Sequence, residues 1–191
     1  MGREKPLIEV AGVPLVVRVV RAAQGSAEEV VVVAKAAQAP RIREVLPEGV
    51  LIARDSKRVQ SPLVGFVAGA AALTSEHVAF LPCDLPLLST AVLDFLFHAA
   101  TNHDAAIPRW PDGRIEPMVA VYRRAPAYDA ALGALVSGER ANTDMIARLV
   151  DVQYVPVDDV RTVDPRLDSF VNVNTPADLE MVEDRFGSRG R

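Results

Sequence analysis

The stretch EVVVVAK, residues 29–35, constrains the fold of this chain more than any other. A continuous β-branched run bounded by charged residues is the mark of a strand buried on both faces, as in parallel sheets covered by helices. GVLIAR (49–54) and HVAFLP (77–82) are shorter runs of the same kind. Helical patterns separate them: PLVVRVVRAAQ from Pro14, PRIREVL from Pro40 and SPLVGFVAGAAAL from Ser61. Ser61 suits an N-cap and Pro62 the first helical position. This alternation predicts an α/β fold, a three-layer, mainly parallel Rossmann-like sheet with helices on both faces.

The second half is less regular. It predicts helices from Ser89 (STAVLDFLFHAA), over RAPAYDAALGALV, over 141–150 and over TPADLEMVEDRF. Strands are expected at 104–110, 116–124, 152–157 and FVNVN (170–174). Asp178, three residues after Thr175, completes the outline of a capping box. One domain over residues 1–186 and a disordered GSRGR tail over 187–191 are expected.

Composition narrows the function classes. With 191 residues, 50% of them hydrophobic, the chain can bury one full core. A formal charge of −4 argues against a nucleic-acid binder, whose surface is usually strongly basic. The single cysteine, Cys83, excludes an internal disulfide and fits a reducing compartment. MGREKPLIEV carries charge where a signal peptide needs an apolar segment, and no run is long enough to span a membrane. A soluble, cytoplasmic protein with no membrane partner is expected.

Asp84 stands out against this background. In AFLPCDLPLLS an apolar run ends at a carboxylate between two prolines. Burying an unpaired carboxylate costs several kcal/mol, so Asp84 needs a partner, water or a cation. It follows directly on the HVAFLP strand, and ligands of open α/β sheets collect beyond the carboxyl ends of strands. A carboxylate there can ligate Mg²⁺, which takes oxygen ligands and keeps waters and phosphates as the rest of its shell. For an isolated Asp in this setting, a turn residue ahead of Ser89 is the favoured reading.

The company Asp84 keeps resembles a family. REKPLIEVAGVPLV, RDSKRVQSPLVGFVAGAAAL, FLPCDLPLL, EPMVAVYRR, SGER and FVNVNTPADL occur in the order seen in molybdenum cofactor guanylyltransferases. These belong to the nucleotide-diphospho-sugar transferase-like nucleotidyltransferases. The resemblance runs from Lys5 to the last helix. It implies transfer of GMP from GTP to the phosphate of molybdopterin, with pyrophosphate released and Mg²⁺ as cofactor. Partners would be these two small molecules and proteins that hand over or receive the molybdenum cofactor.

The resemblance also implies roles for individual residues. Lys5 corresponds to the lysine that neutralises phosphate charge, where a lone N-terminal Lys reads as solvated surface. Asp84 would be the metal ligand and, with Lys5, catalytic. Asp55, past the VLIAR strand, corresponds to a nucleotide-binding carboxylate; a turn residue is the alternative reading. Pro62, Leu63 and Gly65 match a GPL-G segment where a helix start approaches the nucleotide, although Ser61 replaces its leading Gly and narrows the backbone's freedom. Asn172 and Asn174, on one face of an expected strand by period-two spacing, would meet the second substrate. A turn into the Thr175 cap also explains Asn174. Arg3, Arg54, Lys57 and Arg58 read as charged surface, Cys83 as a small buried residue, and Trp110 and Met118 as core or cleft wall. Related molybdopterin cytidylyltransferases, adenosylcobinamide-phosphate guanylyltransferases and non-catalytic relatives share the fold. The family opens with a strand and a glycine-rich loop, roughly LAGG-S-RMG, ahead of the lysine. Here Met1 joins that pattern in mid-motif, so a native start upstream of Met1 is expected.

Overall fold

The computed structural model describes residues 4–55 and 61–189. Arg3, Lys57 and Arg58 lie outside the described residues. The first half alternates as expected: β1 (Glu9–Val10), β2 (Val13–Pro14), α1 (Leu15–Gln24), β3 (Val31–Ala34), α2 (Ala39–Val45), β4 (Leu51–Arg54), α3 (Pro62–Ala71) and β5 (His77–Phe80). The second half adds α4 (Thr90–Ala99), β6 (Ala105–Arg109), β7 (Ala120–Arg123), α5 (Arg124–Val136), α6 (Asn142–Ile146), β8 (Val152–Pro156), α7 (Val157–Val160) and α8 (Pro176–Arg189). The last helix continues through residues 187–189, which composition assigned to a tail. Among the described residues no helix is long and apolar enough to cross a membrane.

The sheet is mixed and interrupted. β3 and β4 pair in parallel, and β5–β7–β6–β8 form a second sheet in which β7 is antiparallel to both neighbours. β6 and β8 pair in parallel, Arg109 opposite Pro156. Because β7 reverses between β5 and β6, the carboxyl ends of β5, β6 and β8 share one edge. Among the described residues no strand pairing joins β3 to β5. The consequence appears in burial: Val31, Val32 and Val33 are only half-buried, where the apolar run predicted a strand covered throughout. An unpaired strand edge leaves backbone and flanking side chains open.

Helix α3 bridges the interruption. Val33 and Val31 pack against Gly69, where a Cβ would approach Val33 to 3.2 Å. Phe66 meets Phe80 edge-on at 5.3 Å, and Ala70, one turn later, shares a core with Val78. The helix therefore runs antiparallel to β5 and starts at the edge where β5 ends. Its cap is the expected one, with the Leu63 amide donating to Ser61 Oγ at 3.2 Å.

A carboxylate also ties the approach to β3 to the approach to β5. Glu29 Oε2 accepts hydrogen bonds from the amides and hydroxyls of Thr74 and Ser75, at 2.6–3.0 Å. These donors, the Ser75 hydroxyl first, hold the Glu29 pKa down to about 2 from 4.5. A depressed carboxyl pKa stabilises the fold above the unfolded value and loses that contribution as pH falls through the folded one. Thermal unfolding followed from pH 6 to pH 2.5 should show the wild-type midpoint dropping more steeply below pH 4.5 than that of Glu29→Gln. Parallel curves would remove Glu29 from the acid response.

Candidate active site

Lys5, Asp84 and Asn174 come together although 79 and 169 residues separate Lys5 from the other two. Three chain segments carry them, and each inserts apolar side chains into one small core. Ile8, Val10 and Leu15 come from the opening segment, Leu87 from the turn after Asp84, and Val173 from the stretch before Asn174, closed by Val182 of α8. The opening segment begins with a single 3₁₀ turn over Lys5–Leu7. It then runs into the β1–β2 hairpin, whose Ala11-Gly12 corner has positive φ at both residues, the signature of a type I′ turn. After β5 the chain turns at 85–88, with the Leu88 amide on Leu85 O at 3.2 Å, and Leu85 anchors in the larger core.

The expected strand at 170–174 does not form. A single backbone hydrogen bond, from the Val173 amide to Asp84 O at 3.0 Å, replaces a ladder. Alternation survives without the strand: Val173 is fully buried, and Asn172 and Asn174 on either side are exposed. The capping box does form. Asp178 accepts from the Asn174 and Thr175 amides at 2.9 and 2.8 Å, and its own amide donates to Thr175 Oγ1 at 3.2 Å. Upstream, the segment is clamped by buried Asp164, which accepts from the Asp168 and Ser169 amides, and by Ser169 Oγ, which accepts from the Ser89 amide.

At the centre Lys5 Nζ donates to Asp84 Oδ2 at 2.5 Å and to Asn174 Oδ1 at 2.6 Å. An ammonium has three donors, so one remains for a ligand. The Asp84 side chain is 17% exposed, and its second oxygen, Oδ1, is buried without a hydrogen-bond partner. A buried unpaired carboxylate oxygen is costly unless something fills its place, and a hard cation with oxygen ligands suits it. Among the described residues no three or more His, Cys, Asp or Glu side chains converge. A cation at Asp84 would therefore take most of its shell from water and substrate oxygens. Cys83 beside it is an inert thiol: burial first, then the Asp84 carboxylate, pushes its pKa up to about 11.

The other expected residues lie on the flank towards β4. Asp55 follows that strand, its amide on Ala34 O at 3.0 Å and its Oδ1 buried and, among the described residues, unpartnered. Pro62 and Gly65 sit in the first turn of α3, and a Cβ added at Gly65 would meet nothing within 4 Å. Ser61 Oγ donates to Arg140 O at 2.7 Å, so the SGER segment adjoins the start of α3. No hydrogen bond or ion pair links this group to Lys5, Asp84 or Asn174 among the described residues.

This arrangement has relatives. Residues 1–153 match the MobA-like NTP transferase domain. The chain belongs to that family. A probable molybdenum cofactor guanylyltransferase of Natronomonas pharaonis is 34% identical over 186 residues, 96% of this chain and 90% of that protein. Among solved structures, the molybdopterin-guanine dinucleotide biosynthesis protein A of Archaeoglobus fulgidus superposes with a TM-score of 0.83 at 26% identity, covering 98% of this chain and 92% of that one. The 2-C-methyl-D-erythritol 4-phosphate cytidylyltransferase of Thermus thermophilus shares the fold, with a TM-score of 0.67 at 17% identity over 95% of this chain and 92% of that one.

As a MobA-like nucleotidyltransferase, the chain has features that sequence reasoning placed only roughly. Leu63 is fully buried in the core, so only its backbone can face a ligand. Asn172 is exposed and makes no side-chain hydrogen bond among the described residues. Trp110, read as core or cleft wall, lines an open cavity of about 450 Å³ beyond the ends of β6 and β8. The WPDGR turn carries a hairpin signature of Pro, Asp and Gly, but nothing local shows what the Trp faces. The buried Asp164 and Asp168 and the Ser169 clamp gave no motif signal at all.

Proposed function

We propose that this chain transfers GMP from GTP to the phosphate of molybdopterin, releasing pyrophosphate, with Mg²⁺ held at Asp84. The observation that carries the reading is the convergence of Lys5, Asp84 and Asn174, with a third Lys5 donor and the second Asp84 oxygen unpartnered among the described residues. It is supported by the 34% identity to a probable molybdenum cofactor guanylyltransferase along nearly the whole chain.

In this reaction a phosphate oxygen of the acceptor attacks the α-phosphorus of GTP. The bond from that phosphorus to the bridging oxygen breaks, and the electron pair leaves on pyrophosphate. The nucleophile is already ionised, since the second pKa of a phosphate monoester is about 6, so no general base is required. The obstacle is repulsion between two anions, and the protein's task is positioning and neutralisation. Lys5 would move a donor from Asp84 or Asn174 onto phosphate and offset charge on the leaving group. Bound Mg²⁺ would supply Lewis-acid polarisation and a template for phosphate oxygens. Asn174, held by the Asp178 cap, would orient the acceptor, and Asp55 with the start of α3 would hold the nucleotide.

Pyrophosphate release measured with GTP, CTP or ATP, each with molybdopterin and Mg²⁺, tests this. Release with GTP alone is expected, along with a GTP-specific rise in melting temperature, because a ligand that binds only the folded state stabilises it. Release with CTP alone would make the chain a cytidylyltransferase, and release only with adenosylcobinamide phosphate as acceptor would move it to that reaction. Nucleotide binding without release under any condition would point to a non-catalytic relative.

A further inference from the structure

The cavity at the ends of β6 and β8 has no part in the chemistry described above, and an indole stands in its wall. We infer that it seats the planar pterin ring of the acceptor against Trp110, with Arg109 as its polar contact. The inference rests on the guanylyl-transfer reading and names the subsite that reading leaves open.

The volume, about 450 Å³, lies within the range of small-molecule sites. Trp110, Pro111, Pro156 and Val157 supply apolar walls, and Arg109 and Asp158 are the charged groups among its lining residues. The indole is fixed on several sides. Its Nε1 donates to Glu116 Oε1 at 2.7 Å, its backbone amide donates to Arg114 O at 2.8 Å, and its edge meets Phe170 at 5.8 Å between ring centroids. The Arg114 guanidinium lies over one face of the ring, 5.3 Å from its centroid. An aromatic ring held this firmly, yet still half-exposed, costs little further ordering when a flat ligand lands on it. Arg109 can donate to a ring carbonyl. One Asp158 oxygen already pairs with Arg161 Nε at 3.0 Å, and the other can accept from a ring amino group.

Position decides which substrate this is. Asp84 follows β5, one edge strand of the β5–β7–β6–β8 sheet; the cavity lies at β6 and β8, towards the other edge, and Asp55 follows β4 in the separate β3–β4 sheet. A reaction that joins two phosphates at Asp84 brings two substrates to it, and the cavity belongs to the sheet that does not carry Asp55. β6 lies two strands from β5, roughly 10 Å. That span suits a phosphate at Lys5 joined through a short side chain to a ring at Trp110. Phe170, in contact with Trp110, also begins the segment that ends at Asn174.

Trp110 is the sole tryptophan of the chain, so its emission reports on the surroundings of this one indole. Titration with 6-hydroxymethylpterin, corrected for inner-filter absorption, should quench it saturably, whereas GTP with Mg²⁺ should leave it unchanged. In kinetics, Trp110→Ala should raise KM for molybdopterin about 10-fold or more, on the scale of aromatic stacking on a base. KM for GTP should stay within twofold, and Trp110→Phe should recover most of the loss. If GTP raises the melting temperature and supports turnover while pterin leaves Trp110 emission unchanged, the subsite is wrong and the reaction stands. Quenching by GTP instead, or equal KM rises for both substrates, would also overturn it. If GTP neither binds nor turns over, the guanylyl-transfer reading falls and the subsite with it.

Discussion

Asp84→Asn should lower Mg²⁺-dependent turnover by at least about 100-fold, the scale of losing one preorganised charge-stabilising group at a reacting centre. Shape is nearly conserved, so the loss would come from the charge. The fold should survive, because the segment is not held by its carboxylate. Leu85 and Leu87 anchor it in two different cores, and its own carbonyl accepts from the Val173 amide at 3.0 Å. Lys5 can still donate to an asparagine oxygen, so circular dichroism and melting temperature should change little. Turnover within threefold of wild type at saturating Mg²⁺ would remove Asp84 from the metal-binding role.

The largest effect on stability is expected at Asp168. Its side chain is 2% exposed and accepts from Arg166 Nη2 at 2.8 Å and Nε at 3.1 Å, and it pairs with Arg185 of α8. Hydrogen bonds to charged groups contribute about 1.5–3 kcal/mol each, so Asp168→Ala should cost about 3 kcal/mol. For a chain of this size that is a fall of roughly 6–12 °C in the unfolding midpoint. Both arginines reach water and can resolvate, with side chains 60% and 34% exposed, which keeps the cost from rising further. Because Asp168 closes the loop that leads into 171–174, the variant should also raise KM for the acceptor more than for GTP. A midpoint shift under 2 °C would show that the pairing is not a fastening of α8.

Local chemistry made much of this protein readable from its residues. The strands at 31–34 and 51–54, Ser61 before Pro62, and the Thr175–Asp178 box all form where the sequence places them, because caps and strand formation depend on a few adjacent side chains. The position of Asp84 after a buried strand was legible for the same reason. Sequence alone also arranged the motifs in the order seen in molybdenum cofactor guanylyltransferases, and so pointed to nucleotidyl transfer before any contact was known.

Tertiary structure decided the rest. FVNVN has the alternation of a strand, but a strand needs a partner edge, and among the described residues the fold supplies the one cross-bond from Val173 to Asp84. The run at 31–34 has the composition of a fully covered strand, yet an unpaired edge leaves its valines half-exposed. Lys5 reads as surface until a core shared by Ile8, Leu87 and Val173 brings its segment onto Asp84 and Asn174. Trp110 reads as core or cleft wall until the parallel pairing of β6 and β8 sets its hairpin at the mouth of a cavity. Contacts between residues 79 and 169 positions apart in sequence leave no periodic trace in it; the packing of separate segments into a common core creates them.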